Sequence, residues 1–447
     1  MLFVPPTEGG GMEIKMSNIR NIGDTFDALI KNSEVKKYTY TLSESQKQEL
    51  NLEDGDFKLM RTVFDNYASI KVFENDKMGS VGGNDISEEG LKKLIEDSLS
   101  AARSADEDPC HDIAPGQGSD IFVQGLQEPD TDRFIERVQE FLKILDKDYP
   151  KIKISGGAAT IDQWNWFSRN SNGTEFEGIG GQYYFSLEFS AGEGDKNSGV
   201  NFLGFSMKDL DTPIIEMTDV KRKLKDVCDS IYPETIDSKF TGTVVMIPDC
   251  AAQFLYMLAG NYISGGRIID GTSLWLDKVG EKVVDEKLSV TLDPFDERII
   301  LGERGTRDGF RAETVKVIDK GVLKTHWLNL YAANKTGRPV VKNTGGDLVV
   351  DCGDKSLDDI IASVDKGIIM GGFSGGEPGV NGDFSGVAKN SFLIENGKIK
   401  CALSETMVNG NLAEMFNNIR AISKEQICDG RSVLPYIAVD GIVISGK

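Results

Sequence analysis

The chain of 447 residues carries two histidines, His111 and His326, and six cysteines at positions 110, 228, 250, 352, 401 and 428. Catalytic zinc commonly needs three protein ligands and an open position, so two widely separated imidazoles offer little from which to build such a centre. The cysteines stand far apart with no Cys-x-x-Cys spacing, which argues for reduced thiols rather than a disulfide frame or a zinc knuckle. His111 follows Cys110, but adjacent residues on an irregular loop seldom aim at one point, so His111 is read as a solvated loop residue. His326, in Thr-His-Trp-Leu-Asn-Leu, is placed at the start of a helix ending at Gly337 and given a structural role. No Gly-x-Ser-x-Gly on a strand–turn–helix is recognised to supply a serine nucleophile.

The stretch with the densest signal runs from Gly371 to Leu412. Glycines crowd its first half, at 371, 372, 375, 376, 379, 382 and 386, and mark a looped segment that needs unusual dihedrals or close backbone approach. Its second half sets Asn396-Gly397 between apolar runs, the strongest short-range hairpin signal. A phosphate cradle would need a strand-to-helix connection and a Gly-Lys-Ser/Thr, both missing from this reading. A β edge beside such a loop can instead accept an extended peptide by strand addition. The candidate peptide-binding residues are Gly375, Gly376, Gly382, Asp383, Phe384, Ser385 and Asn411. The plainer alternative is a surface loop leading into a structural hairpin.

A formal charge of −21 opposes binding to phosphate backbones or anionic lipid, because such affinity rests on Lys and Arg displacing counterions. Direct nucleic-acid and membrane partners are therefore not expected. No apolar run approaches the ~20 residues of a membrane helix, and the leader MLFVPPTEGGG lacks a basic n-region and an h-region, so a cytoplasmic location is expected.

The elements that must position these residues read as α+β. Residues 1–15 are a Pro- and Gly-rich flexible tail. An N-terminal α+β portion, 16–118, combines antiparallel strands between Val35 and Phe73 with an amphipathic helix started by Asp85 and Glu88. A Pro-, Gly- and Asp-rich loop sets a boundary before a middle α/β portion, 119–236. It holds a helix from Thr131 to Asp148, aromatic-rich strands from Lys151 to Glu193 turned at Asn172-Gly173, and a helix near Thr218 to Tyr232. A β-rich C-terminal domain, 237–447, opens with the buried strand Thr243–Pro248 and a helix over Asp249–Tyr262.

The blocks Gly-Asp-Phe-Ser (382–385), Ile-Glu-Asn-Gly (394–397), Ser-Glu-Thr (404–406) and Asn-Gly-Asn-Leu (409–412) resemble in order the C-terminal signature of the PmbA/TldD family, also written TldE/TldD. Asn170–Gly173, Ile263–Gly266, Leu274–Asp277 and Asp308–Arg311 extend the resemblance over nearly the whole chain. It implies a zinc peptidase subunit paired with a related subunit, and a description as a modulator of DNA gyrase for which no residue here argues. The peptidase subunits carry His-Glu-x-x-x-His on the helix after the buried strand. Here Tyr256, Met257 and Asn261 take the places of its His, Glu and second His, so the chain resembles the PmbA (TldE) branch. Cys428 falls near a cysteine-glycine element of the peptidase subunits. The resemblance implies no catalytic residue and no metal in this chain, with zinc only on a TldD-like partner. The expected role is a non-catalytic subunit acting on peptides or unfolded proteins with that partner. The alternatives are a stand-alone metallopeptidase with a divergent site, drawing on Asp, Glu and Cys428, and a homodimeric peptide-binding module.

Overall fold

A computed structural model describes residues 19–404 and 406–446; the expected tail, 1–15, lies outside them. Two long antiparallel ribbons dominate the first half. Lys37–Glu53 turns at Asp54-Gly55 into Asp56–Glu74, a single strand of 19 residues where the sequence suggested two. Both turn residues have positive φ, 52° and 76°, the backbone of a two-residue hairpin whose twist matches its strands. The second ribbon joins Ile152–Asn170 to Thr174–Glu193, and Asn170 holds the turn by accepting the N–H groups of Asn172 and Thr174. Thr39 to Leu52 pair with Gly157 to Asn170, so the ribbons fuse into one eight-stranded sheet. Gly118–Gly125 adds to it in parallel beside Thr174–Glu193. The segments 16–118 and 119–236 thus share one hydrogen-bonded sheet, and position 118/119 falls inside that strand. A loop rich in Pro and Gly marks an excursion of the chain, not a break in pairing.

Two helix pairs cover different parts of this sheet. Ile19–Lys31, which the sequence reading left without an element, and Glu88–Ser104 bury Phe26, Ile30, Leu91, Leu94 and Ile95 against Tyr40, Ile70 and Phe167. The cap of the second helix is Ser87, which accepts the Gly90 N–H, and not Asp85; the Asp85 carboxylate accepts the Ser87 N–H one turn earlier. Thr131–Asp148 and Val220–Asp229 bury Phe134, Val138, Phe141 and Leu224 against Phe185, Leu187 and Phe205. Alternation along Thr174–Glu193 is strict at Tyr183, Phe185, Leu187 and Phe189, all fully buried. Trp164 and Trp166 occupy the other face and lie across their cross-strand partners Gly180 and Gly178.

From Phe240 onward a second, thirteen-stranded sheet is built around Val433–Ser445, which pairs with Phe240–Met246, Met407–Asn411, Ile419–Cys428 and Leu348–Val350. Phe240–Met246 leads into the helix Pro248–Tyr262, with proline at a first-turn position where its missing N–H costs nothing. The Asn396-Gly397 hairpin forms as its sequence predicts, with φ of 50° and 72°. The helix expected from His326 begins only at Leu330, because Asn329 caps it by accepting the Ala332 N–H, and it ends at left-handed Gly337. The α+β expectation holds: helices flank an N-terminal antiparallel sheet and a β-rich C-terminal sheet. Among the described residues no helix is long and apolar enough to cross a membrane.

A buried charge cluster fastens the first helix to the sheet. Tyr38 donates to Asp27 at 2.6 Å, Lys31 and Arg169 flank the same carboxylate, and Arg169 and Arg20 converge on Glu175. Burial opposes ionisation of both carboxyls, but the hydrogen bonds and neighbouring cations outweigh it and hold both below their ordinary values. Folded-state values below unfolded ones mean that stability is present above the ordinary carboxylate range and is lost as pH falls through it. Melting temperatures should therefore fall between roughly pH 5 and pH 3, and less steeply in Asp27→Asn than in the parent chain. Equal slopes in a calorimetric series would refute the assignment.

Candidate functional site

The helix Pro248–Tyr262 buries a broad face, with Cys250, Ala251, Phe254, Leu255, Leu258 and Tyr262 all buried, and exposes a stripe of Asp249, Gln253, Tyr256 and Gly260. Phe254 sits 5.1 Å from the rings of both Phe373 and Phe384, which themselves meet edge to face at 5.7 Å. The helix is thereby locked to the glycine-rich stretch. In that stretch Gly372–Gly375 runs antiparallel to Asp383–Lys389, which pairs on its other side with Met407–Asn411.

The connecting loop closes on itself and on the end of the helix. Asn411 donates to the Asn381 carbonyl at 2.8 Å and to Asp383 at 2.9 Å, while its own oxygen caps the helix Leu412–Asn417 by accepting the Ala413 and Glu414 N–H groups. Tyr262 donates to the Asn381 carbonyl at 3.2 Å. Gly382 is left-handed at φ 92°, and a Cβ there would stand 1.9 Å from the Tyr262 hydroxyl, so glycine is required twice over. Hydrogen bonds from Asn411 and Asn381 hold the exposed Asp383 carboxyl below its ordinary value.

The seven loop residues predicted to bind peptide take different places. Phe384 is buried in the aromatic cluster, where inward alternation along its strand puts it in the core. Gly382, Asp383 and Asn411 build the turn, and Ser385 faces solvent. The strand Asp383–Lys389 has neighbours on both sides, which leaves Gly372–Gly375 as the edge, with Gly376 following it in open space. At that edge the carboxamide of Gln253 already engages Phe373, accepting its N–H at 3.2 Å and donating to its carbonyl at 2.9 Å. Gln253, missed in the sequence reading, occupies a strand's place.

The three positions aligned with the zinc motif do not converge. Tyr256 is 42% exposed and stacks on Trp327 at 6.5 Å, Met257 packs against the apolar core, and the buried Asn261 makes a long 3.4 Å contact with the Val380 carbonyl. Burial first, then the charges of Asp347 and Asp429, push the Tyr256 hydroxyl up. Among the described residues no three His, Cys, Asp or Glu side chains are grouped to hold a metal ion, so this donor set does not fit a catalytic zinc. Cys428 donates its thiol to the Arg298 carbonyl, and burial pushes that thiol up. His326 is 3% exposed, and its Nε2–H donates to the Trp275 carbonyl at 3.0 Å; burial lowers its pKa, consistent with a structural imidazole. His111 stacks on Tyr331 at 4.6 Å. Residues 372–376 do spell Gly-x-Ser-x-Gly, but Ser374 lies within a strand that leads to another strand, not on the elbow a nucleophile needs.

Two family models match: the PmbA/TldA metallopeptidase C-terminal domain over residues 240–446 and domain 1 over residues 41–102. The chain belongs to the PmbA/TldD family. Over 395 residues it is 24% identical to the Metalloprotease PmbA of Escherichia coli, covering 84% of this chain and 86% of that one. A Haemophilus influenzae protein named Metalloprotease PmbA homolog is 23% identical over 395 residues, 86% of each chain. Among solved structures, TldE from Thermococcus kodakarensis superposes with a TM-score of 0.79 at 20% identity, covering 96% of this chain and all of that one. A Bacteroides thetaiotaomicron structure described as a candidate modulator of DNA gyrase reaches 0.85 at 22% identity, covering 97% of this chain and all of its own. The PmbA/TldD fold thus spans both sheets.

Loop closure in this PmbA/TldD chain depends on Asn411 and Gly382. Asn411→Ala should cost about 1–3 kcal/mol, from one lost cap and two side-chain hydrogen bonds. Gly382→Ala should cost more and should speed amide exchange across residues 376–382. Denaturant midpoints within error of the parent for both variants would contradict this account of the loop.

Proposed function

We propose that this chain is a non-catalytic, PmbA/TldE-like subunit that assembles with a TldD-like zinc peptidase subunit and helps to hold a peptide or unfolded protein segment. The observation that carries the reading is the helix Pro248–Tyr262, where tyrosine, methionine and asparagine stand in place of two imidazoles and a carboxylate and point to three different surroundings. Zinc requires deprotonated N, O or S donors directed at one centre, and these side chains meet neither condition. The zinc is assigned to the partner, and the reaction with it. On this chain the edge Gly372–Gly376 is the place for an extended segment, taking over the backbone groups of Phe373 when Gln253 swings aside.

A second reading, a homodimeric peptide-binding module, draws on a different feature. Beyond its pairing with Lys77–Gly83, the strand Asp56–Glu74 has a free outer edge along residues 56–67, with Leu59, Met60, Phe64 and Tyr67 exposed. Such an edge favours association with another chain. Mass measurement of the chain alone and mixed with a zinc-bearing relative separates the two: a stoichiometric heteromer supports the first reading and a persistent homodimer the second. For the first, the isolated chain should hold less than stoichiometric zinc and leave unfolded peptides intact, and cleavage should appear only in the heteromer. Gln253→Ala in that heteromer should change KM with little change in kcat. Zinc-dependent cleavage by the isolated chain would overturn the proposal.

A further inference from the structure

A cavity lies away from the glycine-rich edge, where the first sheet meets the C-terminal domain. It encloses about 720 Å³, within the ~300–1,000 Å³ of small-ligand pockets. Its charged residues are Lys71 from the long ribbon and Arg307 and Asp308 from the second unit. About half of the described cations rest on carboxylates, among them Arg20, Arg103, Arg169, Arg311 and Lys335. The side chains of Lys71 and the exposed Arg307 have neither an ion pair nor a hydrogen bond among the described residues. Glu303 feels the Arg307 charge from beyond ion-pair distance. Asp308, the one acid of the cavity, is turned toward the protein and accepts the Leu330 N–H at 2.8 Å. A chain of net charge −21 thus keeps two unneutralised cations at this cavity.

The remaining wall is suited to a short organic anion and not to a polyanion. Trp327 forms one side. It is fixed by its Nε1–H donating to the Asn343 carbonyl at 3.2 Å and by Gly345, where a Cβ would overlap the indole. Its ring stacks on Tyr256, so the cavity wall continues to the degenerate motif position. Ile269 adds an apolar surface, and Asn329 and Thr344 add polar ones. Cations from two sides, amides between them and an aromatic wall suit a carboxylate attached to an apolar residue.

We propose that this cavity binds the carboxylate end of a peptide, with Arg307 and Lys71 as the anion-binding pair and Trp327 against the adjoining side chain. The assignment rests on the peptide-binding reading above and narrows it to segments that present a terminal or near-terminal carboxylate. Calorimetric titration of the full chain tests it, using a short apolar peptide as the free acid, as the C-terminal amide, and as an amide ending in glutamate. The free acid should bind at least tenfold more tightly than the plain amide. The glutamate amide tells an α-carboxylate requirement from a side-chain one: binding like the free acid assigns either carboxylate, and binding like the plain amide assigns the terminus alone.

The double variant Arg307→Gln, Lys71→Gln should abolish the preference for the acid. Gly266→Leu provides a second probe: Gly266 lines the cavity, and a Cβ there meets nothing within 4 Å, so the variant should fold and lose acid binding by filling space. Equal affinity for acid and amide overturns the carboxylate assignment and leaves peptide binding standing. A preference for the acid that survives the double variant overturns it as well, and failure of every peptide to bind overturns both.

Discussion

The structure depends on one helix being held along its broad inner face by apolar and aromatic contact. Pro248–Tyr262 leaves the central sheet, places Phe254 between Phe373 and Phe384, and ends with Tyr262 stacked on Trp275 at 4.5 Å and bonded to the loop at Asn381. Deleting a buried ring of this kind typically costs ~3–5 kcal/mol, a large part of the total stability of a domain. The same packing that secures the helix also fixes the glycine-rich loop and the first residues of the edge strand. Scaffold and candidate site are therefore not separable here: Gly382 touches Tyr262, and Gln253 reaches Phe373 from an earlier turn of the same helix.

The three positions that the family resemblance sets against zinc donors are each engaged in another way. Tyr256 stacks on Trp327, Met257 packs against the core and Asn261 reaches the Val380 carbonyl. A helix with a vacated metal site would carry unsatisfied buried polar groups, which are costly.

Much of the fold was legible in the sequence wherever local chemistry decides it. The Asn396-Gly397 turn, the Thr131–Asp148 helix and the strand leading into Pro248 all follow from short-range patterns. The pairing of Lys37–Glu53 with Ile152–Asn170 was not legible, because register between distant strands is set by hydrogen bonds that no local pattern encodes. The helix cap was misplaced by two residues because Asp85 and Ser87 are both good capping types and only geometry chooses between them. In the glycine-rich segment, family blocks could not tell Phe384, facing inward, from Ser385, facing out. Nor could they show Gln253 occupying the edge, or Lys71 and Arg307 meeting at one cavity from opposite ends of the chain.

The fused ribbons carry a consequence for biosynthesis. Thr39 pairs with Asn170 and Leu52 with Gly157, so the strand Lys37–Glu53 leaves the ribosome well before its second neighbour exists. At ~5–20 residues per second it spends several seconds with one edge bare, presenting Tyr40, Leu42 and Leu50 that end up buried. The nascent first half is thus a natural client for holdase chaperones, and its solubility in the cell depends on elongation keeping pace with collapse.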